Sequence, residues 1–273
     1  MSKGAVVITG ASTGIGNACA RMLDDAGFRV FAGVRKQEDA DRISAQGSDR
    51  LTPLICDITD TDSLARAAEE VAAEMGEAGL AGLVFNNAGI AVTGDARDLE
   101  LAHWRRVVEV NLMGVVHGSH AAYRLMAAQG SGHIVNIASL AGLVPFPSNV
   151  PYSTTKHAVV GLSRSLRIEG EDLGVRVSVV CPGFVESNIY AAAEAVNLPA
   201  DDLARDIPFR KVPAEAAARR ILDGVLRNEA VIVFPGYARL SWALDRINQR
   251  LGLPLARRLI RDLRKLRQVK EVS

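Results

Sequence analysis

The chain has 273 residues, of which 48% are apolar and 23% charged, with 32 Lys and Arg against 31 Asp and Glu. That length accommodates one large domain with a full core, and the composition excludes a disordered chain. A net charge of +1 gives no overall attraction for nucleic acid, and no apolar run is long enough to be a membrane span.

Taken in chain order, an apolar run at 5–9 reads as a strand, followed by a helical repeat over 15–27. The alternation returns with strands at 29–33, 51–56, 82–86, 133–137, 176–180 and 230–234. The helices between them cover 38–45, 61–76, 99–129, 152–173 and 213–227. The strand runs are mostly apolar, as in strands buried on both faces, so crossover units and a parallel sheet follow. The expected fold class is α/β: a Rossmann-type doubly wound parallel sheet of seven strands, helices on both faces, and a C-terminal helical extension. Residues 1–236 form the Rossmann-fold domain in this reading, with 237–273 as an extension of it. The stretch 184–212 has no strand pattern and carries Pro199 and Pro208.

Between the first strand and its helix stands Thr9-Gly10-Ala11-Ser12-Thr13-Gly14-Ile15-Gly16. Glycines at such a turn let the backbone approach a pyrophosphate, which rests on the free N–H groups of the helix N-terminus. The second strand runs into Val34-Arg35-Lys36, with no acid before Glu38. An acid there would bind the ribose 2′-hydroxyl of NAD, whereas a 2′-phosphate calls for a cation; Arg35, helped by Ser12, points to NADP(H). Asp57 and Ile58 end the third strand, where Asp57 reads equally well as an adenine contact or a turn cap. Asn111 lies inside the 99–129 helix, where asparagine competes with the helical hydrogen bonds. Tyr152 and Lys156 stand four residues apart on one helical face. A nearby ammonium lowers a phenol's pKa from ~10, so that it can take or give a proton near neutrality. Alone, the pair reads more readily as a surface tyrosine resting on a lysine stem.

These motifs occur in a fixed order: Thr9-Gly10-x-x-x-Gly14-Ile15-Gly16, Asn86-Asn87-Ala88-Gly89, Asn111, Ser139, Tyr152-x-x-x-Lys156 and Pro182-Gly183. In this the chain resembles the classical short-chain dehydrogenase/reductase family over residues 5–234. The resemblance implies a catalytic set of Asn111, Ser139, Tyr152 and Lys156. Tyr152 would be the acid/base, Ser139 would hydrogen-bond the substrate oxygen, and Lys156 would bind the nicotinamide ribose and lower the Tyr152 pKa. Asn111 would sit at a helix kink and hold a water in a proton relay. Implied cofactor contacts are Gly10, Ser12, Thr13, Gly14, Ile15, Gly16, Asn87, Ala88, Gly89, Pro182, Gly183, Val185 and Ser187. Ser187 stands where the family often has threonine.

The implied activity is the NADP(H)-dependent interconversion of an alcohol and a carbonyl. A catalytically silent NADP(H)-binding regulator is the competing reading, and the complete catalytic set argues against it. The family uses the 184–212 segment as a substrate lid. Here the lid and the loop 140–147 are rich in apolar residues, so an apolar substrate is expected. By the same resemblance the helices 99–129 and 152–173 pair across a two-fold axis, giving a homodimer or homotetramer. The five histidines lack metal or triad spacing, and Cys19, Cys56 and Cys181 read as buried free thiols of a cytoplasmic protein.

Residues 237–273 hold ten Lys and Arg against three Asp and Glu. Leu240, Leu244, Ile247 and Leu251 share one helical face, as do Leu255, Leu259, Leu263 and Leu266 after Gly252-Leu253-Pro254. Two helices, 237–251 and 254–268, are expected to dock these leucines on the body or a neighbouring subunit near the substrate. Contact with an anionic membrane is the lesser alternative.

Overall fold

The computed structural model describes residues 4–75, 82–189, 191–199 and 210–268. The first half runs β1 (Ala5–Thr9), α1 (Gly14–Asp25), β2 (Arg29–Val34), α2 (Gln37–Gln46), β3 (Leu51–Ile55), α3 (Thr61–Met75), β4 (Leu83–Asn86) and β5 (Val92–Thr93). Then come α4 (Leu101–Val108), α5 (Gly114–Gln129), β6 (Gly132–Ile137), α6 (Val150–Glu169), β7 (Val175–Pro182) and β8 (Glu194–Ala195). The chain continues with α7 (Ala214–Leu226), β9 (Val231–Phe234), α8 (Gly236–Ile247) and α9 (Leu253–Lys265). Seven strands form one parallel sheet in the order β3-β2-β1-β4-β6-β7-β9. The chain leaves β1 toward β2 and β3, then returns to place β4 on the other side of β1. That reversal opens a crevice at the C-terminal ends of β1 and β4.

Alternation along each strand divides the core. Val6 and Ile8 of β1 face a cluster with Leu23 of α1, Ile43 of α2 and Ile221 of α7. Ala5 joins Phe31, Leu54 and Val71 on the opposite face, under α3. Phe31 and Phe85 are at most 1% exposed, and each side chain of this size contributes about 1.5–3 kcal/mol by its burial.

The structure departs from the sequence expectation at four places. At β3, Ile55 is 50% exposed, because this strand lies at the sheet edge, where Pro53 is tolerated. The 99–129 helix is divided: α4 and α5 are joined by a π-helical turn, Glu109–Met113, around the fully buried Asn111. The 184–212 segment does contain a strand, since β8 pairs in parallel with β5. Its two residues are too few for periodicity to reveal. Of the expected 184–212 lid, residue 190 and residues 200–209, with Pro208, lie outside the described residues.

The fourth departure is in the tail. Helix α8 buries Ala238 and half-buries Tyr237 and Trp242, while Leu240 and Ile247 stay 60% and 79% exposed. Its rotation is fixed by polar tethers: the Phe184 N–H donates to the Tyr237 hydroxyl at 2.7 Å, and Arg239 Nε donates to the Val233 carbonyl at 2.8 Å. Helix α9 docks on its own chain, with Leu259, Leu263 and Leu266 half-buried. Arg264 Nε donates to Asp95 at 2.6 Å, Arg267 forks onto Asp98 at 2.6 and 2.5 Å, and the Gln268 N–H reaches the Asn197 carbonyl at 2.9 Å.

Candidate active site

The turn from β1 to α1 is shaped by glycine. Gly10 and Gly14 have φ of +65° and +58°, a left-handed region that side chains disfavour, and a Cβ on Gly10 would lie 2.7 Å from the Ala88 Cα. Gly16 lets α1 close on the turn, since a Cβ there would stand 2.4 Å from the Gly10 carbonyl oxygen. No side chain caps α1 and its first turn holds no acid, so its N-terminus is suited to an anion. The neighbouring β4 end is locked to this turn. The Asn87 amide donates to the Thr9 and Gly10 carbonyls at 3.0 and 2.9 Å, and Thr9 Oγ1 accepts from the Asn87 and Ala88 N–H groups at 3.0 and 3.2 Å.

Below lies a cleft of about 490 Å³, within the usual range for a small-molecule site. Its wall includes Gly10, Ser12, Thr13, Gly14, Ile15, Arg35, Asp57, Ile58, Asn87, Ala88, Gly89, Pro182, Gly183, Val185 and Ser187, together with Ser139, Tyr152 and Lys156. Gly16 and Asn111 stand behind the wall. Asn111 Oδ1 accepts from the Ile90 N–H at 2.8 Å and its amide donates to the Ile90 carbonyl at 2.9 Å. This pair of bonds clamps the loop after Gly89, and the π turn is what brings Asn111 to it. Asp57 is a turn cap: its Oδ1 accepts from Thr59 N–H and hydroxyl at 2.9 and 2.7 Å, which holds its carboxyl below the usual range.

Ser139 follows β6 by two residues and caps a short 3-10 turn, Leu140–Gly142, accepting from the Ala141 N–H at 3.1 Å. Its side chain faces the Tyr152 phenol closely enough to favour the phenolate. Lys156 is 2% exposed, and its Nζ donates to the Ile137 carbonyl at 2.8 Å and lies 5.5 Å from the Tyr152 ring centre. The expected lowering of the Tyr152 pKa is overturned: burial raises it, outweighing the Ser139 side chain. Burial likewise draws Lys156 down to about 8. The ammonium is directed at a main-chain carbonyl, leaving burial dominant at the phenol.

Sequence reasoning missed several neighbours. Glu38 and Asp39 line the Arg35 end of the cleft, where Asp39 is taken up by Arg42 at 2.5 Å and Arg42 also donates to the Ser12 carbonyl at 2.9 Å. Beneath the site, Asn86 bonds Asn136 at 2.8 Å and Asn136 bonds Ser163 at 3.0 Å, a buried polar tie from β4 through β6 to α6. Only Asn86 had a motif to draw notice; Asn136 and Ser163 meet it through strand order. His103 is structural, as its ring accepts from the Glu100 N–H at 2.9 Å and meets Glu194 of β8 at 3.2 Å.

Residues 4–197 match the short chain dehydrogenase family. The chain is 36% identical to a cis-4-hydroxycyclohexanecarboxylate dehydrogenase of Sinomonas cyclohexanicum over 82% of its own length and 84% of that protein's. Its fold is similar to a short-chain dehydrogenase/reductase of Burkholderia phymatum solved with NAD, with a TM-score of 0.81, 26% identity, and coverage of 92% of this chain and 95% of that one. It is also similar to a short-chain dehydrogenase of Sphingobium yanoikuyae solved with NADPH, with a TM-score of 0.76, 26% identity, and coverage of 91% and 94%. Sequence, sheet order and cleft converge: this chain belongs to the short-chain dehydrogenase/reductase family, oxidoreductases that act on CH–OH groups with NAD(P).

Proposed function

We propose that the chain interconverts an apolar, ring-bearing alcohol and its ketone with NADP(H), and that Tyr152 moves the proton at the substrate oxygen. The observation that carries this reading is the gathering of Tyr152, Ser139 and Lys156 in one cleft wall. Gly10, Gly14 and the uncapped start of α1 would hold the dinucleotide's phosphates, and a bound nicotinamide would supply or accept the hydride. In reduction the neutral phenol of Tyr152 gives its proton to the carbonyl oxygen as charge develops there; in oxidation the phenolate takes the alcohol proton. The Ser139 hydroxyl donates a hydrogen bond to the same oxygen. Lys156, held by the Ile137 carbonyl, places a positive charge beside the phenol. Asn111 fixes the Ile90 loop that borders them.

Preference for NADPH over NADH rests on Arg35 and Ser12 at the cleft wall and on the absence of an acid at Val34. Asp39 would oppose a 2′-phosphate, but Arg42 neutralises it. The substrate class rests on Val185, Ile189 and Ala192 along the cleft and on the Phe146 and Phe184 rings, 6.1 Å apart. The Sinomonas relative's name specifies a ring alcohol that also bears a carboxylate, which supports the ring and not the apolar character. Assembly as a homodimer or homotetramer through α4, α5 and α6 is part of the same reading; Gly161 of α6 has open space around it. The test is a screen of NADPH and NADH oxidation against cyclic ketones and sugars, with dissociation constants for both cofactors. Wild type is expected to favour NADPH and cyclic ketones, and Arg35→Ala to lose most of the cofactor preference. Equal affinities in wild type, or a preference for sugars, would contradict the corresponding part.

A further inference from the structure

The outer surface of α8 and of the turn into α9 stands exposed among the described residues. Leu240, Ile247, Leu251 and Leu255 are 50% exposed or more, and with Leu244 they make up half of the ten large hydrophobic residues standing exposed among those described. All five fall within positions 240–255, a concentration unlike the scattered single exposures elsewhere. The surrounding charge is predominantly positive, with Asp245, partly buried on α8, and Asp262 as the acids beside it. Arg246, Arg250, Arg257, Arg258 and Arg261 are exposed, while Asp262 is engaged by Lys265 at 2.6 Å. The surface is held in place, since Arg264 and Arg267 fasten α9 to Asp95 and Asp98.

We propose that this surface docks on a bilayer carrying anionic phospholipid headgroups, with the leucines entering the interface and the arginines meeting the phosphates. A two-fold contact with a second copy would set the same arginines against one another, because such an interface repeats one patch on both partners. A nucleic acid would match the arginines and leave the leucines without a role. An anionic bilayer satisfies both, and these are the two faces of a helix that lies in a membrane surface. No described helix is long and apolar enough to cross a membrane, so the contact is peripheral. It uses a surface separate from the cleft, and its failure would leave the proposed reaction untouched.

The full chain is floated with phosphatidylcholine vesicles, with and without phosphatidylglycerol. Wild type is expected to bind the phosphatidylglycerol vesicles, and to release them in salt as the screening length shortens from about 10 Å at 0.1 M to about 3 Å at 1 M. The exposed triple variant Leu240→Glu, Ile247→Glu, Leu251→Glu should lose about a hundredfold or more in partitioning, with unchanged thermal melting. Should that variant misfold, Arg246→Gln, Arg250→Gln, Arg257→Gln serves instead, with a loss of about a hundredfold. Wild type that stays with neither vesicle, or variants that bind as wild type does, would overturn the proposal. So would a leucine variant that dissociates an oligomer in sedimentation velocity, which would make this face an interface between copies.

Discussion

Burial acts on Tyr152 and Lys156 in opposite senses, raising the phenol above 10.0 and drawing the ammonium down to about 8. Both shifts favour the neutral forms. Ketone reduction under the proposed mechanism needs a protonated phenol and a charged lysine, and both are present at pH 7. As pH rises through about 8, Lys156 loses its proton first, so kcat/KM for reduction should fall there. A profile flat from pH 7 to 10 would contradict that assignment. His133 provides a stability test. It is 3% exposed, meets the Ser178 hydroxyl at 2.9 Å, and is pushed by burial from 6.5 to about 4. Between those values the unfolded chain binds the proton and the folded one does not. Stability should therefore be full above pH 6.5 and fall with pH toward 4, by about 3 kcal/mol from this residue. Urea unfolding across that range should show a shallower fall in His133→Gln; identical curves would remove the histidine as the cause.

At the scale of elements, α9 is held by charge. The carboxyls of Asp95 and Asp98 lie below the usual range, chiefly through hydrogen bonds from Arg264 and Arg267, so the pairs are fully formed at neutral pH and weaken only in acid. Replacing both arginines by alanine leaves two carboxylates, with side chains 6% and 7% exposed, without these partners. Hydrogen exchange should then rise across α9 and around Asn197, while β1 to β4 stay protected; unchanged protection in α9 would refute the latch. The strands were readable because each is a short, mostly apolar run, and Asn111 marked its π turn by being a poor helix former. The outward face of α8 was not readable. Its leucine spacing looks like a core stripe, and what turns it outward is a hydrogen bond from Phe184 to Tyr237, 53 residues apart. The β5–β8 pair escaped for a similar reason, joining segments about a hundred residues apart.

Across the whole molecule, the crevice exists because the sheet reverses its winding between β1 and β4, and the chain then delivers β6, α6 and β7 to the same end. The glycine turn and the Tyr152–Lys156 spacing were legible because each is local in sequence. The network behind them, Thr9 with Asn87 and Asn86 with Asn136, spans 78 and 50 residues and becomes visible only through sheet order. The central claim is that this cleft carries out proton transfer through one phenol. The most direct measurement compares wild type and Tyr152→Phe for NADPH oxidation by the best cyclic ketone, alongside NADPH binding by fluorescence. The account predicts a loss of about 10²–10⁴-fold in turnover with binding of NADPH retained; a Tyr152→Phe enzyme that turns over at the wild-type rate would contradict it.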